Sequence, residues 1–329
     1  MPKVLISIVT FNSSTDIVSC LRSVENQSYR NYEVIVVDNN SQDDTATLIS
    51  RNWPDLKLIR NRDNLGFAAG HNLAIKQSYA PFVLVLNPDV NLQPNFLGNL
   101  LEVMNINQKL GSVSGKLYKL GNDLPSTHQV DIIDSTGIMI KKSGQASDRG
   151  QSQKDTGQFD HKKDIFGPSG AAALYRREAL ESVKYMGEYF DQEFFAFKED
   201  VDLAWRLRLA GWQSQFVPSA LAHHKRSAGY VPGSIRQNRR SRSNLINYYS
   251  YRNNLYLIHK NFTSVNRFKF LPYIIWLEIR KFVYLLFFEP KSLRGLMDFF
   301  CHLKLIRKKR KFIQDNIKIT SEEINAWFQ

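Results

Sequence analysis

Short apolar runs alternate with amphipathic stretches over the first 90 residues. Runs rich in Val, Ile and Leu predict buried strands, at Val4–Thr10, Tyr32–Asp38, Lys57–Arg60 and 81–86. Between them, apolar residues three or four apart predict helices over about 14–26, up to about 52, and over about 72–77. This alternation predicts an α/β fold, with a mostly parallel, doubly wound (Rossmann-like) sheet.

A further helix is predicted over 195–212. One apolar face is formed by Leu203, Leu207 and Ala210, and Gly211 supplies a stop signal. Three acids lie before this face: Glu199, Asp200 and Asp202. These acids have two interpretations. In the first, they stabilise the start of the helix, and Asp202 is spaced to pair with Arg206. In the second, they form a set of carboxylates at the rim of a cleft, and one of them acts as a general base.

The C-terminal region carries an apolar stretch at 270–288 with charges at its centre. Because each central charge costs roughly 2.5–3.5 kcal/mol in a bilayer, a spanning helix is disfavoured. The predicted apolar face is Ile275, Ile279, Phe282, Val283 and Leu286, opposite Glu278, Arg280, Lys281 and Tyr284. Such a face can cover the rest of the protein, pack in a homodimer, or lie in a membrane interface.

The net charge of +13 is concentrated in this region. Residues 225–313 contain 20 Lys and Arg but three acids, whereas the others contain 24 basic and 28 acidic residues. The dense run at 304–311 is of the kind drawn to anionic lipid. We therefore expect a catalytic domain over 1–225, a helical, basic appendage over 226–329, and an anionic membrane surface as partner.

Cysteine content and the N-terminus suggest a compartment. The two cysteines, Cys20 and Cys301, are too few for a disulfide framework or zinc site, which fits a reducing cytoplasm. The first three residues, 1–3, are followed directly by a predicted strand, without the pattern of a signal peptide. We expect a cytoplasmic protein peripherally associated with the inner face of the cell membrane.

Polar residues follow three of the predicted strands. They are Thr10 and Asn12, Asp38 and Asn40, and Asn87 and Asp89. In doubly wound sheets, ligands bind beyond the carboxyl ends of the strands. The alternative is turn chemistry, because Asp and Asn readily bond their own backbone in loops.

Several motifs together resemble the nucleotide-sugar glycosyltransferases of family two, which have the GT-A fold. The matching segments are 7–12 (SIVTFN), 36–45 (VVDNNSQDDT), 64–72 (NLGFAAGHN), 86–89 (LNPD), Glu199-Asp200 and His223-His224. Within that family the chain is most similar to rhamnosyltransferase-type enzymes of surface-polysaccharide assembly. The segments supporting this are 134–138 (DSTGI), 169–177 (SGAAALYRR) and 248–253 (YYSYRN).

The resemblance implies a donor site and a metal site. The implied nucleotide-binding residues are Thr10, Asn12, Asp38, Asn40, Gly66, Asn72 and Asn87. Asp89 is implied to hold a divalent metal, Mg²⁺ or Mn²⁺, with help from His224 or His223. The chain has Asn87 where the family motif Asp-x-Asp has its first acid, which leaves one carboxylate for the metal.

The resemblance also implies the catalytic residues and a sugar pocket. Asp200 is implied to be the general base, with Glu199 orienting it. The pocket residues are Ser169, Gly170, Ala171 and Trp205. The polar stretch 147–164 is expected to be a flexible flap near the donor.

These features predict an inverting glycosyltransferase, which attaches rhamnose from dTDP-rhamnose to a saccharide or polyprenyl-diphosphate-linked acceptor. Another donor, such as UDP-glucose or UDP-galactose, is the alternative within the fold. A sugar nucleotidyltransferase is disfavoured because residues 10–14 lack a phosphate-binding loop. Nucleic acid is not an expected partner, because the basic tail is the only feature of the sequence that suggests it.

Overall fold

A computed structural model describes residues 2–120, 131–226 and 244–329. The strands are β1 Val4–Thr10, β2 Tyr32–Asp38, β3 Lys57–Arg60, β4 Phe82–Leu86, β5 Val90–Leu92, β6 Leu110–Lys119, β7 Ile133–Ser135, β8 Ile138–Ile140, β9 Ala146–Asp148, β10 Ala172–Arg176 and β11 Gln213–His224. The helices are α1 Ile17–Glu25, α2 Thr45–Asn52, α3 Gly66–Lys76, α4 Phe96–Ile106, α5 Arg177–Ser182, α6 Glu199–Leu209, α7 Asn244–Asn261, α8 Ser264–Lys269, α9 Leu271–Phe288, α10 Arg294–Asp315 and α11 Ser321–Asn325.

One large sheet organises the first two described segments. Its order is β3-β2-β1-β4-β10-β6-β11-β5, with β7 paired to β6, and β8 and β9 form a separate hairpin. Strands β1 to β4 are parallel neighbours, as are β6 and β11, whereas β10 runs antiparallel between β4 and β6. The predicted α/β fold with a mostly parallel sheet is confirmed.

Two hydrophobic layers cover the faces of this sheet. Residues of α1 and α4 pack on one face and residues of α3, α5 and α6 on the other. Strand β4 is therefore buried at every position, which explains its continuous apolar run. Helix α3 is longer than the predicted 72–77 and begins at Gly66.

Helix α6 lies between the sheet and the C-terminal helices. Leu203 and Leu207 pack toward the sheet, as their spacing predicted. Its opposite face, including Val201 and Trp205, packs in a core shared with α7, α9 and α10. The acid-bearing helix is thus enclosed on both sides.

Ion pairs neutralise the charges buried around α6. Asp202 accepts from Arg206 at 2.8 Å, which is the predicted pair, and also lies 2.7 Å from the Lys260 ammonium. Lys260 and Lys309 both pair with Asp191. Although burial opposes its charge, these two lysines hold the pKa of Asp191 below its usual range. The network ties α6 to α7 and α10.

The apolar face of α9 points away from the rest of the described protein. Ile275, Ile279 and Phe282 are 42–54% exposed, whereas Glu278 on the other side hydrogen-bonds Asn254 of α7. The option that this face covers the catalytic domain is therefore wrong. No helix in the described ranges is long and apolar enough to span a bilayer.

Two other expectations are altered by the structure. The basic run 304–311 is not wholly free for lipid, because Lys309 is buried against Asp191. The polar stretch 147–164 is tied to the sheet, since Lys116 of β6 pairs with Asp155 and Asp160. The tail arginines at 236, 239, 240 and 242 lie outside the described residues.

The division into 1–225 and 226–329 stays a prediction. Its boundary adjoins 227–243, which the structure does not describe. The helical C-terminal region is present as predicted, but its helices share a hydrophobic core with α6. It therefore supports the acid-bearing helix directly.

Candidate active site

The ends of β1 and β2 form one side of the site. The Thr10 hydroxyl donates to the Asp38 carboxylate at 3.0 Å, and the backbone of Ser41 donates to its other oxygen at 3.2 Å. Asn12, with a φ of 51°, accepts from the backbone of Gln42. Asn40 follows with a φ of 63° and an exposed side chain. The structure brings these predicted residues together, with Asp38 buried and oriented.

The loop after β4 lies at the same sheet edge. The backbone of Asn87 donates to the carbonyl of Ala171 at 2.8 Å. Asp89 follows two residues later, with a largely buried side chain that faces β11. The hydrogen bond fixes this loop against the segment that leads into β10.

His224 connects two carboxylates at the end of β11. Its Nε2 lies 3.3 Å from Asp89, and its Nδ1 lies 2.8 Å from Asp134. Burial disfavours the charged ring, but hydrogen bonds to Asp134 and Asp89 raise the pKa of His224 to about 9. His223 alternates to the other side of the strand, where it contacts Gln93. His224 is therefore the histidine positioned to act with Asp89.

Arg226 extends this network. Its guanidinium pairs with Asp134 and with Asp148 of β9. Asp134 lies in the segment 134–138 that supports the family resemblance, but no residue pattern gave it a role. Arg226 had no sequence signal, because its partners lie 78 and 92 residues away.

The donor set at Asp89 and His224 fits a divalent metal that takes its other ligands from a substrate. The pair offers a carboxylate oxygen and an imidazole nitrogen, and Asp134 holds the far ring nitrogen as second carboxylates commonly do for metal-bound histidines. Mg²⁺ is often held by one or two carboxylates plus phosphate and water. No cluster of three His, Cys, Asp or Glu ligands occurs in the described ranges.

Asp200 lies across the β10 segment from this network. Its Oδ2 accepts from the backbone of Gly170 at 2.9 Å. A Cβ at Gly170 would lie 3.1 Å from that of Asp200, which is a tight contact, so a larger residue here would press against Asp200. Burial raises the pKa of Asp200, although the Gly170 hydrogen bond opposes this. Ser169 and Ala171 flank Gly170 and are nearly buried.

Glu199 is buried beside Asp200. Its Oε2 has no hydrogen-bond partner among the described residues. Burial and the neighbouring Asp200 carboxylate raise the pKa of Glu199 well above its usual range. These surroundings favour the neutral form of the Glu199 carboxyl.

The loop before α6 has an unusual backbone. Phe195, Phe197 and Lys198 all have positive φ, between 59° and 72°, which costs free energy in non-glycine residues. The Asn253 side-chain amide, from α7, donates at 2.8 Å to the carbonyls of residues 194, 196 and 197. On the other side, the Phe195 carbonyl accepts from the start of α3 at 2.7 Å. We call residues 194–198 the clamped loop.

Three predicted ligand residues contact protein instead. A Cβ at Gly66 would lie 2.4 Å from the Phe195 carbonyl oxygen, so this glycine is required for packing. Asn72 is buried. Its side-chain amide donates to the carbonyl of Phe190 and accepts from the backbone N–H groups of Tyr189 and Phe190. Trp205 is fully buried in the core shared with the C-terminal helices, so its placement in a sugar pocket is wrong. The geometry likewise favours a structural role for Asn72.

Comparison with protein families gives a consistent result. Residues 5–184, more than half of the chain, match the model of Glycosyl transferase family 2. Residues 142–302 match the model of Glycosyl transferase family group 2. The second match includes most of the C-terminal helices.

Individual relatives are more distant. The chain is 27% identical over 246 residues to the N-acetylglucosaminyl-diphospho-decaprenol L-rhamnosyltransferase of Mycobacterium tuberculosis. This match covers 69% of this chain and 78% of the relative. It is 24% identical over 200 residues to the GalNAc(5)-diNAcBac-PP-undecaprenol beta-1,3-glucosyltransferase of Campylobacter jejuni, covering 59% and 58%.

Solved structures share the fold. TarS of S. aureus in complex with UDP-GlcNAc superposes with a TM-score of 0.57 at 17% identity, covering 99% of this chain and 92% of that one. The mannosyltransferase PcManGT of Pyrobaculum calidifontis in complex with GDP-Man and Mn²⁺ gives 0.53 at 17% identity, covering 95% and 85%.

We predict that Asn253→Asp destabilises the protein by about 3 kcal/mol or more. The carboxylate cannot donate to the three carbonyls of the clamped loop, and each buried group left unpaired costs about 1–3 kcal/mol. Urea unfolding measures the change. The matched control is Asn244→Asp, which places the same change at the exposed start of α7 and should stay within about 0.5 kcal/mol of wild type. Equal stability of the two variants would contradict the role of the clamp.

Proposed function

Because the chain belongs to glycosyl transferase family 2 and has the GT-A fold, we propose that it is an inverting glycosyltransferase that uses Asp200 as its base. A single observation carries this assignment. The Asp200 carboxylate is held by Gly170, one residue from the Ala171 carbonyl that binds the loop of Asp89. The proposed proton acceptor and the residues proposed to bind the diphosphate are therefore linked through adjacent residues of one segment.

The reaction is a single displacement. The acceptor oxygen forms a bond to the anomeric carbon while the bond from that carbon to the donor diphosphate breaks. Asp200 takes the proton of the acceptor hydroxyl, and the nucleotide diphosphate leaves with the bonding electron pair. The raised pKa of Asp200 favours this transfer, because a stronger base takes the proton more readily.

In this proposal, charge on the leaving diphosphate would be offset beside Asp89. Asp89 and His224 would hold Mg²⁺ or Mn²⁺, which would neutralise the developing phosphate charge. Asp134 keeps the His224 ring oriented. Asn87 precedes this pair in place of the first acid of the family motif, so the metal would depend on the donor diphosphate for further ligands.

The proposed donor is dTDP-rhamnose, and the proposed acceptor is a polyprenyl-diphosphate-linked saccharide in cell-surface polysaccharide synthesis. The relatives from M. tuberculosis and C. jejuni support this acceptor, because both names describe transfer to a diphosphate-linked polyprenol, and the name of the first supports rhamnose as the sugar. Asp38, buried and oriented by Thr10, is proposed to accept the imide N–H of thymine or uracil. The alternative donor is a UDP-hexose.

We predict that dTDP-rhamnose raises the melting temperature of the protein more than UDP-glucose or UDP-galactose does. A ligand that binds the folded state alone stabilises it by mass action. The measurement is thermal unfolding at matched ligand concentrations, with Mg²⁺, Mn²⁺ or EDTA. A larger shift in melting temperature with a UDP-hexose would identify that nucleotide sugar as the donor instead. Equal shifts in EDTA and in metal would contradict the proposed metal site.

We predict that Asp200→Asn lowers kcat about 100-fold or more. Loss of general base catalysis typically costs 10²–10⁴ in rate, whereas the amide oxygen can still accept from Gly170 and preserve the fold. Transfer is measured by product formation, and donor binding by thermal shift. Asp315→Asn, an exposed control, should retain wild-type kcat. Wild-type turnover in Asp200→Asn would refute the assignment.

Peripheral attachment to an anionic membrane is proposed for the C-terminal region. The apolar face of α9 is exposed, and Trp276 on the same helix is 64% exposed. On α10, exposed Met297 and Phe300 are followed by exposed Lys304 and Arg307. Apolar side chains beside cations fit the interface of an anionic bilayer. This would place the enzyme on the cytoplasmic leaflet.

We predict that the double substitution Ile279→Asp and Phe282→Asp reduces binding to phosphatidylglycerol-containing vesicles at least tenfold. Each side chain loses about 1.5–3 kcal/mol of burial in the interface, and about 1.4 kcal/mol corresponds to a factor of ten. Co-sedimentation measures binding. Ile106→Asp, at an exposed isoleucine at the end of α4, should bind like wild type.

The same variants separate membrane attachment from a homodimer. If the α9 face joins two copies, the double variant would convert a dimer to a monomer in analytical ultracentrifugation without changing vesicle binding. That result would refute the membrane proposal.

A further inference from the structure

A cavity of about 340 Å³ lies between α7, α9 and the loop that carries Lys198. Its size is at the lower end of typical ligand pockets, which span about 300–1,000 Å³. The clamped loop supplies Lys198, α9 supplies Arg280 and Lys281, and α7 supplies Ser250, Tyr251 and Asn254. The mechanism above does not use this cavity.

The walls of the cavity carry more positive than negative charge. Lys198 donates to the Asn254 side chain at 3.0 Å, and Asn254 donates in turn to Glu278 at 3.2 Å. Glu278 also pairs with Lys281 at 2.8 Å. The cavity lining thus has three cations, Lys198, Arg280 and Lys281. The carboxylates of Glu278 and Asp200 act on these groups from beside the cavity, which leaves a net positive charge. Arginine and lysine are the side chains that proteins use to bind phosphate.

Lys198 is buried among charges of both signs, because Glu278 and Asp200 favour its ammonium form whereas Lys281 opposes it. Burial, followed by the nearby charge of Lys281, lowers its pKa to about 7. A phosphate group in the cavity would offset both effects and favour the ammonium form.

The position of the cavity relates it to the proposed reaction. Lys198 immediately precedes Glu199 and Asp200, so one wall adjoins the proposed base. The opposite wall is α9, whose outer face is the exposed apolar surface. A lipid-linked saccharide has the same order of parts: an apolar chain, a diphosphate and a sugar with the reacting hydroxyl.

We propose that this cavity binds the diphosphate of a lipid-linked acceptor, through Lys198, Arg280 and Lys281. The inference rests on the proposed function and deepens it by assigning the acceptor diphosphate a site separate from that of the donor. The lipid chain leaves the cavity along α9 toward the membrane, and the saccharide extends toward Asp200. The neutral partners Ser250 and Asn254 add hydrogen-bond donors to the phosphate oxygens.

The kinetic test compares two acceptors in detergent solution. One is a short-chain prenyl-diphosphate-linked saccharide, and the other is the same saccharide as an alkyl glycoside. Lys281→Ala should raise KM for the diphosphate acceptor at least tenfold, leaving kcat, donor KM and KM for the alkyl glycoside near wild type. Lys318→Ala removes the same charge from an exposed position outside the cavity and should change none of these values. An unchanged KM in Lys281→Ala, or an equal rise for both acceptors, would overturn the proposal.

A binding test does not depend on turnover. Farnesyl diphosphate, farnesol and inorganic pyrophosphate are titrated calorimetrically into the full chain in EDTA, which weakens binding at the donor site. Farnesyl diphosphate should bind wild type and Lys318→Ala alike, and at least tenfold more weakly to Lys281→Ala and Lys198→Gln. Farnesol binding as tightly as farnesyl diphosphate would overturn the proposal.

Competition identifies the source of the phosphate. Inorganic pyrophosphate should compete more weakly than farnesyl diphosphate, because it lacks the apolar chain. If phosphatidylglycerol vesicles displace farnesyl diphosphate at equal phosphate concentration, the cavity binds a membrane headgroup and the proposal is wrong. Transfer of sugar to the alkyl glycoside tests the proposed function separately. If no nucleotide sugar supports this transfer while Lys281-dependent farnesyl diphosphate binding is intact, the proposed function is wrong and the anion site remains.

Discussion

The clamped loop is the constraint on which the candidate active site depends. Its backbone includes positive φ angles at Phe195, Phe197 and Lys198, a conformation that non-glycine residues adopt only when their surroundings enforce it. Helix α3 holds it from one side through the Phe195 carbonyl, and Asn253 holds it from the other. Because α6 begins at the next residue, the same contacts set the direction of Asp200.

The C-terminal helices contribute to this constraint. They bury the second face of α6 and supply Asn253, Lys260 and Lys309. Lys260 lies between Asp191 and Asp202, so charges from distant segments are neutralised inside one network. Breaking such a buried pair by removing one partner generally costs about 3–5 kcal/mol. Support of the acid-bearing helix and exposure of an apolar face are therefore combined in one region.

The opposite side of the site is organised by electrostatics at strand ends. His224 lies between Asp89 and Asp134, and Arg226 connects Asp134 to Asp148. Acids that converge at one sheet edge repel one another unless cations or hydrogen-bond donors separate them. In this arrangement Asp89 contacts the His224 ring. The arrangement gives a physical basis for a diphosphate site in which one carboxylate replaces the two of the family motif.

The sequence by itself determined the first four strands, the polar residues at their ends and the Asp202–Arg206 pair. These follow from local periodicity and from the rule that parallel strands end at one edge. Tertiary structure alone decided that Trp205 is core, that Asn72 binds backbone, that His224 faces Asp89, and that the apolar side of α9 is exposed. Periodicity shows that a helix has a face, but what covers that face depends on segments distant in sequence. The cavity at Lys198 likewise exists because α7 and α9 meet the clamped loop, a contact that no local pattern encodes.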